Sequence, residues 1–151
     1  MILQAVLLGL VAFVAQSEYA LGTSLLSRPI VTGLFTGIVL STRLGIKHFR
    51  LTGGEPLLHP QLDEMVLQIK KIPGVSSVSL TTNAVLLVQH AKWLKEAGID
   101  SINVSLDTID ASEYERITKK PLLEEVKHGI NAAIECGIRG VKNSAKSFLV
   151  I

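Results

Sequence analysis

Cysteine is nearly absent from this 151-residue chain: Cys136 stands alone. One thiol makes no internal disulfide and no cysteine-only metal site. A surplus of positive charge is also missing. Fifteen Lys and Arg face 13 Asp and Glu, for a formal charge of +2. That field is too weak to gather phosphate backbones, which excludes a strongly basic nucleic-acid binder. The four histidines, His48, His59, His90 and His128, form no HxH or HxxxH pair, so no zinc motif is present. No apolar run reaches the roughly 20 residues that span a bilayer. The two longest lie at residues 1–15 and 29–40. Neither Lys nor Arg precedes the first run, and no small-x-small site follows it, which is a poor fit to a secretory leader.

What is present is a 48% hydrophobic chain with 19% charged residues, enough for one domain with a sizeable core. It is too apolar for a disordered chain. Charge is unevenly spread. Residues 1–40 carry only Glu18 and Arg28, and the composition changes near Ser41–Arg43. The chain therefore reads as three stretches: an apolar helical segment over 1–42, a body over 43–142 and a tail over 143–151. The head admits two readings, a buried helix of a soluble core or a membrane-embedded helical pair or re-entrant hairpin. Gly33 and Gly37, four residues apart, would let another helix come close.

The body alternates strand and helix patterns. Strands are expected at Gly45–Thr52, Val75–Thr82 and Ile99–Leu106, where apolar or β-branched residues alternate or cluster. Helices are expected at Leu62–Ile72, Val85–Ala97, Ala111–Ile117 and Leu122–Cys136. Pro73-Gly74, Gly98 and Gly137 stop three of them. Strand–helix alternation implies an α/β fold with parallel strands and right-handed crossovers. The units are too few to close an eight-stranded barrel.

In such sheets ligands gather at the carboxyl ends of the strands. Those ends read RLTGGEP (50–56), TTN (81–83) and NVSLD (103–107). Gly53 and Gly54 let a ligand approach the backbone without a Cβ in the way. Glu55 can accept hydrogen bonds from an ammonium group. Glu55 and Asp107 are also candidates for paired carboxylates, or for helix caps. Trp93 reads as a core or rim anchor, and Asp63 and Glu64 suit a helix start.

The segments GIKHFRLTGGEPLLHPQL (45–62), SLTTNAVLL (79–87), LKEAGIDSINVSLDTID (94–110) and YERIT (114–118) resemble the GTP 3′,8-cyclases of molybdenum cofactor biosynthesis. These are radical S-adenosylmethionine enzymes, and the resemblance runs from about Arg43 to Lys142. It implies a partial (β/α) barrel fragment of the radical SAM type. It further implies that Gly53, Gly54, Glu55 and Ser105 meet S-adenosylmethionine, and that Arg50, Thr81 and Lys142 meet GTP. The head segment SEYALGTSLLSRPIVTGLFTGIVL (17–40) resembles the amino-terminal end of the sorbose-family phosphotransferase IIC membrane component.

The departures from the cyclase pattern are chemical. The family holds a [4Fe–4S] cluster on a CxxxCxxC motif upstream of the GGEP strand, and residues 1–40 hold no cysteine. Cys136, late in a helix, reads as a small packed residue. No catalytic residue or metal ligand is therefore assigned. Ala84 stands where the family has glycine after TTN, and His59 where many relatives have a basic residue. The tail NSAKSFLVI leaves the pattern. Three functions follow as expectations. The first is a cyclase-like fragment that binds S-adenosylmethionine or GTP without radical chemistry. The second is a membrane-associated fragment acting through residues 1–40, and the third a fusion product without a selected function. The body is expected in the cytoplasm, with membrane association, if any, through the head.

Overall fold

The computed structural model describes residues 27–143. Expectations for residues 1–26 and 144–151 lie outside the described residues. Four strands, β1 (His48–Leu51), β2 (Ser77–Thr82), β3 (Ser101–Val104) and β4 (Val141–Asn143), form one sheet in the order β1-β2-β3-β4. Every neighbouring pair is parallel. The helices are α1 (Ser27–Arg43), α2 (Leu62–Lys71), α3 (Leu87–Ala97), α4 (Ala111–Thr118) and α5 (Leu123–Glu135), with a short 3-10 turn at Pro56–Leu58. Sequential parallel strands joined through helices give the α/β order that the sequence pattern implies.

The second apolar run is part of α1. Leu34 and Ile38, one turn apart, are buried in the domain's hydrophobic core, with Phe35 packed beside them. Ser41 is buried too, its hydroxyl donating to the Gly37 carbonyl at 2.7 Å. The composition break at Ser41–Arg43 thus falls inside the last turn of one helix. Among the described residues no helix is long and apolar enough to cross a membrane. Among the described residues, a Cβ at Gly33 or Gly37 meets nothing within 4 Å, and the close helix approach expected there would involve residues outside them.

The remaining elements form for local reasons. Helix α2 buries Leu62, Val66 and Ile69 at helical spacing, begins with Asp63 and Glu64 and ends with Lys70 and Lys71, as its dipole favours. It stops before Pro73, one residue short of the expected end, because a residue preceding proline avoids helical angles. The start of α3 is two residues later than expected. Asn83–Leu86 forms a turn instead, with Ala84 in the left-handed region at φ 65°. Strand β3 is shorter than expected at both ends. At its start, the Ile99 amide caps α3 and the Asp100 carboxylate accepts from the Val78 amide at 2.6 Å and from Lys70. Strand β4 has no counterpart in the sequence pattern: three residues are too few for alternation to register.

Along β1, β2 and β3 alternate residues point into the core: Phe49, Leu51, Val78, Leu80, Thr82, Ile102 and Val104. Helices α2, α3 and α5 cover this face with Val66, Ile69, Leu87, Leu94, Val126 and Ala133. Helices α3 and α5 meet at Gly129, where a Cβ would stand closer than 3.0 Å to the Ala84 carbonyl oxygen. Only glycine permits that approach.

Candidate functional site

The other face of the sheet is polar. His48 and Arg50 on β1, Ser77, Ser79 and Thr81 on β2, Ser101 and Asn103 on β3, and Lys142 on β4 occupy the alternate positions. All are exposed or half-buried. Parallel sheets ordinarily have both faces covered by apolar packing. Here one face carries hydroxyls, an amide and three basic side chains, and none of its positions is acidic. His48 Nδ1 lies 2.7 Å from Ser77 Oγ, and Ser79 donates to the Phe49 carbonyl at 3.2 Å.

Strand register decides which side chains are neighbours. Thr81 pairs with Asn103, and Asn103 with Lys142, so these three form one cross-strand row. Arg50 pairs with Ser79, two residues before Thr81 on the same face. With about 4.8 Å between strands and about 3.3 Å per residue along them, the Arg50 and Lys142 backbones stand about 14 Å apart across the sheet and about 7 Å apart along it. Arg50, Thr81 and Lys142 therefore share one polar face. Asn103, the first residue of the NVSLD strand end, shares it as well, and so do Ser79 and Ser101, which carry no assignment from the sequence alone. Their signal was legible: small polar residues at every second position of a parallel strand mark a face that is not core.

Gly53, Gly54, Glu55 and Ser105 lie elsewhere, at the carboxyl ends of β1 and β3. Gly54 is exposed, and a Cβ there would meet nothing within 4 Å. No neighbour among the described residues requires glycine at that position, so its backbone is open to a ligand. Ser105 is exposed, its amide donating to the Thr82 carbonyl at 2.8 Å. Asp107, two residues on, is exposed.

Glu55 faces inward. One carboxylate oxygen accepts from Thr82 Oγ1 at 2.7 Å and from the Leu57 amide at 3.1 Å, which also caps the 3-10 turn. The other accepts from the Asn83 amide at 2.8 Å. Thr82 is only 2% exposed, and its hydroxyl accepts from the Ala84 amide at 3.0 Å. Asn83 Oδ1 accepts from the Val85 amide at 3.0 Å. A carboxylate offers about four acceptor sites, and protein donors take three of them.

On α3, the Trp93 indole donates to His90 Nδ1 at 2.7 Å, and the two rings meet edge to face. Burial holds the His90 pKa below its ordinary 6.5, against the opposing pull of Asp63 and Glu55. Trp93 packs, partly buried, against the core, as a helix anchor should.

Cys136 caps the carboxyl end of α5, where the chain turns back to begin β4. It therefore sits at the end of the sheet where strands start, whereas Gly54, Asn83 and Ser105 sit where they finish. Among the described residues no group of three His, Cys, Asp or Glu side chains could hold a metal ion. An iron–sulfur cluster of the radical type is held by several thiolates, and this chain's single thiol does not fit that donor set.

The pattern of the radical SAM superfamily matches residues 38–150, which hold this parallel βα sheet. The chain belongs to that superfamily. Within it, the chain is 47% identical over 98 residues to a GTP 3′,8-cyclase of Pelotomaculum thermopropionicum. It is 44% identical over 102 residues to a probable GTP 3′,8-cyclase of Methanococcus maripaludis, and 39% identical over 107 residues to a GTP 3′,8-cyclase of Rhodopirellula baltica. These alignments take in 65%, 68% and 71% of this chain but only 30%, 34% and 30% of the relatives. The chain thus spans about a third of their length.

Proposed function

We propose that this chain is a cyclase-type radical SAM fragment that binds the two small molecules of that chemistry without initiating radicals itself. S-adenosylmethionine is received at the strand ends by Gly53, Gly54 and Ser105, beside the Glu55 carboxylate. GTP lies on the polar face, its phosphates on Arg50 and Lys142 and a polar edge on Thr81. The observation that carries this reading is the shared face of Arg50, Thr81 and Lys142, which three separate strands contribute. Guanidinium and ammonium groups pair with phosphate, and the guanidinium can do so through two parallel bonds. Arg50 and Lys142 are long side chains on opposite edges of the sheet, which suits both reaching one triphosphate held between them over the middle strands. The bare backbone at Gly54 supports the first ligand in the same way, since no neighbour among the described residues requires a glycine there.

In the family, the [4Fe–4S] cluster supplies the electron that cleaves S-adenosylmethionine. The residues of this chain do not fit it, so the proposed function stops at binding.

Equilibrium dialysis of the purified chain tests the reading. GTP is expected to bind, inorganic triphosphate to compete with it, and Arg50→Ala and Lys142→Ala each to weaken it about tenfold, as loss of a charge-assisted contact does. Equal GTP binding by wild type and both variants would refute the phosphate assignment. Anaerobic incubation with iron and sulfide tests the rest. No stable cluster and no cleavage of S-adenosylmethionine are expected, and cleavage by the isolated chain would overturn the inactive reading.

A further inference from the structure

We infer that Glu55 is a positioning residue, which acts on ligands by holding the Thr82–Ala84 turn rather than by touching them. The inference deepens the proposed function and rests on its placing of S-adenosylmethionine at the strand ends. Glu55 ties three backbone or side-chain donors to one carboxylate: Leu57 in its own loop, and Thr82 and Asn83 at the end of the neighbouring strand. The two loops that flank the candidate site are therefore joined through a single charge.

The turn it holds needs holding. Ala84 is fully buried with φ 65°, a conformation unfavourable for any residue with a Cβ. Three restraints keep it there. The Ala84 amide donates to Thr82 Oγ1, whose own proton goes to Glu55. The Ala84 carbonyl accepts from the Leu87 amide at 3.1 Å and rests against Gly129. The Asn83 amide, between them, is fixed directly by Glu55 at 2.8 Å. Removing the carboxylate frees two of these donors at once and leaves the buried Thr82 hydroxyl without its acceptor. The turn then relaxes away from its strained conformation, and the ligand-facing ends of β1 and β2 lose their mutual register.

The test compares Glu55→Ala, Thr82→Val and Thr82→Ser in the whole chain. Amide resonances of Asn83 and Ala84 are followed by NMR, and ligand affinity by equilibrium dialysis. Two probes are used: S-adenosylmethionine, and 5′-methylthioadenosine, which lacks the amino-acid end. Glu55→Ala and Thr82→Val are expected to move the same two amides, and Thr82→Ser, which keeps the hydroxyl, to leave them in place. Both probes should weaken by the same factor, about tenfold, as loss of a charge-assisted hydrogen bond does. Weakening confined to S-adenosylmethionine would mean direct contact with its ammonium group and would overturn the inference. If wild type binds neither probe, the binding reading falls. The amides still decide the positioning role, and unmoved Asn83 and Ala84 signals refute it. Should Glu55→Ala fail to fold, the Val and Ser variants of Thr82 carry the same comparison.

Discussion

Replacing Gly129 by alanine sets two effects of opposite sign against each other. In an exposed helix the change stabilises by about 1 kcal/mol, because glycine is the poorer helix former. Gly129 is not exposed. It is buried in α5, and an added Cβ would stand closer than 3.0 Å to the Ala84 carbonyl oxygen, with Leu87 Cβ only 3.0 Å away. Neither neighbour yields easily. The carbonyl is backbone in a turn already fixed by Thr82, Glu55 and the Leu87 amide. Overpacking of this kind costs about 1–3 kcal/mol, and a backbone clash belongs at the upper end. The net expectation is a loss of about 2 kcal/mol, which for a domain of this size lowers the melting temperature by roughly 8 °C. Thermal melts followed by circular dichroism measure it. Asn131→Ala on the same helix is the control: Asn131 is exposed, so only propensity acts, and a small gain is expected. A Gly129→Ala melting temperature equal to or above that of wild type would refute the packing argument.

Ala84→Gly relieves the left-handed strain but gives up a buried methyl group, so the two terms of about 1 kcal/mol each nearly cancel. Ala84→Val should destabilise markedly, because a β-branched residue tolerates positive φ far less, and urea titration of both variants checks the contrast. Asp100→Ala strands the Val78 amide and releases Lys70, an expected cost of about 1–2 kcal/mol after allowance for solvent exposure. Asp100→Asn keeps the acceptor and should cost less in the same titration. The folded His90 imidazole resists protonation, whereas the unfolded one takes a proton near pH 6.5. Its contribution to stability is complete above that pH and is lost as pH falls through the window below it. Unfolding free energies between pH 7.5 and 5, compared with those of His90→Gln, should show the difference. The Asp110 carboxyl, held below its ordinary pKa of 3.8 by Ser112 and the Glu113 amide at the start of α4, acts at the acid end. Its contribution is present above that value and fades as pH drops further, and Asp110→Asn should reduce the loss seen below pH 4 in an acid titration.

Much of the architecture could be read from one dimension. Period-2 and helical patterns located three strands and four helices, because burial on one face leaves a regular mark. The element ends were less legible. Val85 and Leu86 look helical, yet Asn83 and Ala84 form a turn held by a glutamate 27 or more residues earlier in the chain. Nothing local announces such a partner. Strand β4 escaped because pairing with β3, and not its own three residues, makes it a strand. The apolar run at 29–40 admits membrane and core readings from sequence; in α1 its Leu34 and Ile38 are buried in the core, whereas Val39 and Leu40 are exposed. In sequence Glu55 reads as a ligand acceptor, because a carboxylate directly after two glycines suggests one. Its three protein donors became visible only with β1 and β2 side by side.

The sequence by itself determined the alternation of strand and helix, the glycine pair at the first strand end, and the shortage of sulfur. Each of these is a property of residue type and spacing. The tertiary structure alone decided that Arg50, Thr81 and Lys142 share one face, and that Glu55, Thr82 and Ala84 act as a unit. Those groupings depend on strand register, which hydrogen bonds between distant segments set and no local pattern encodes.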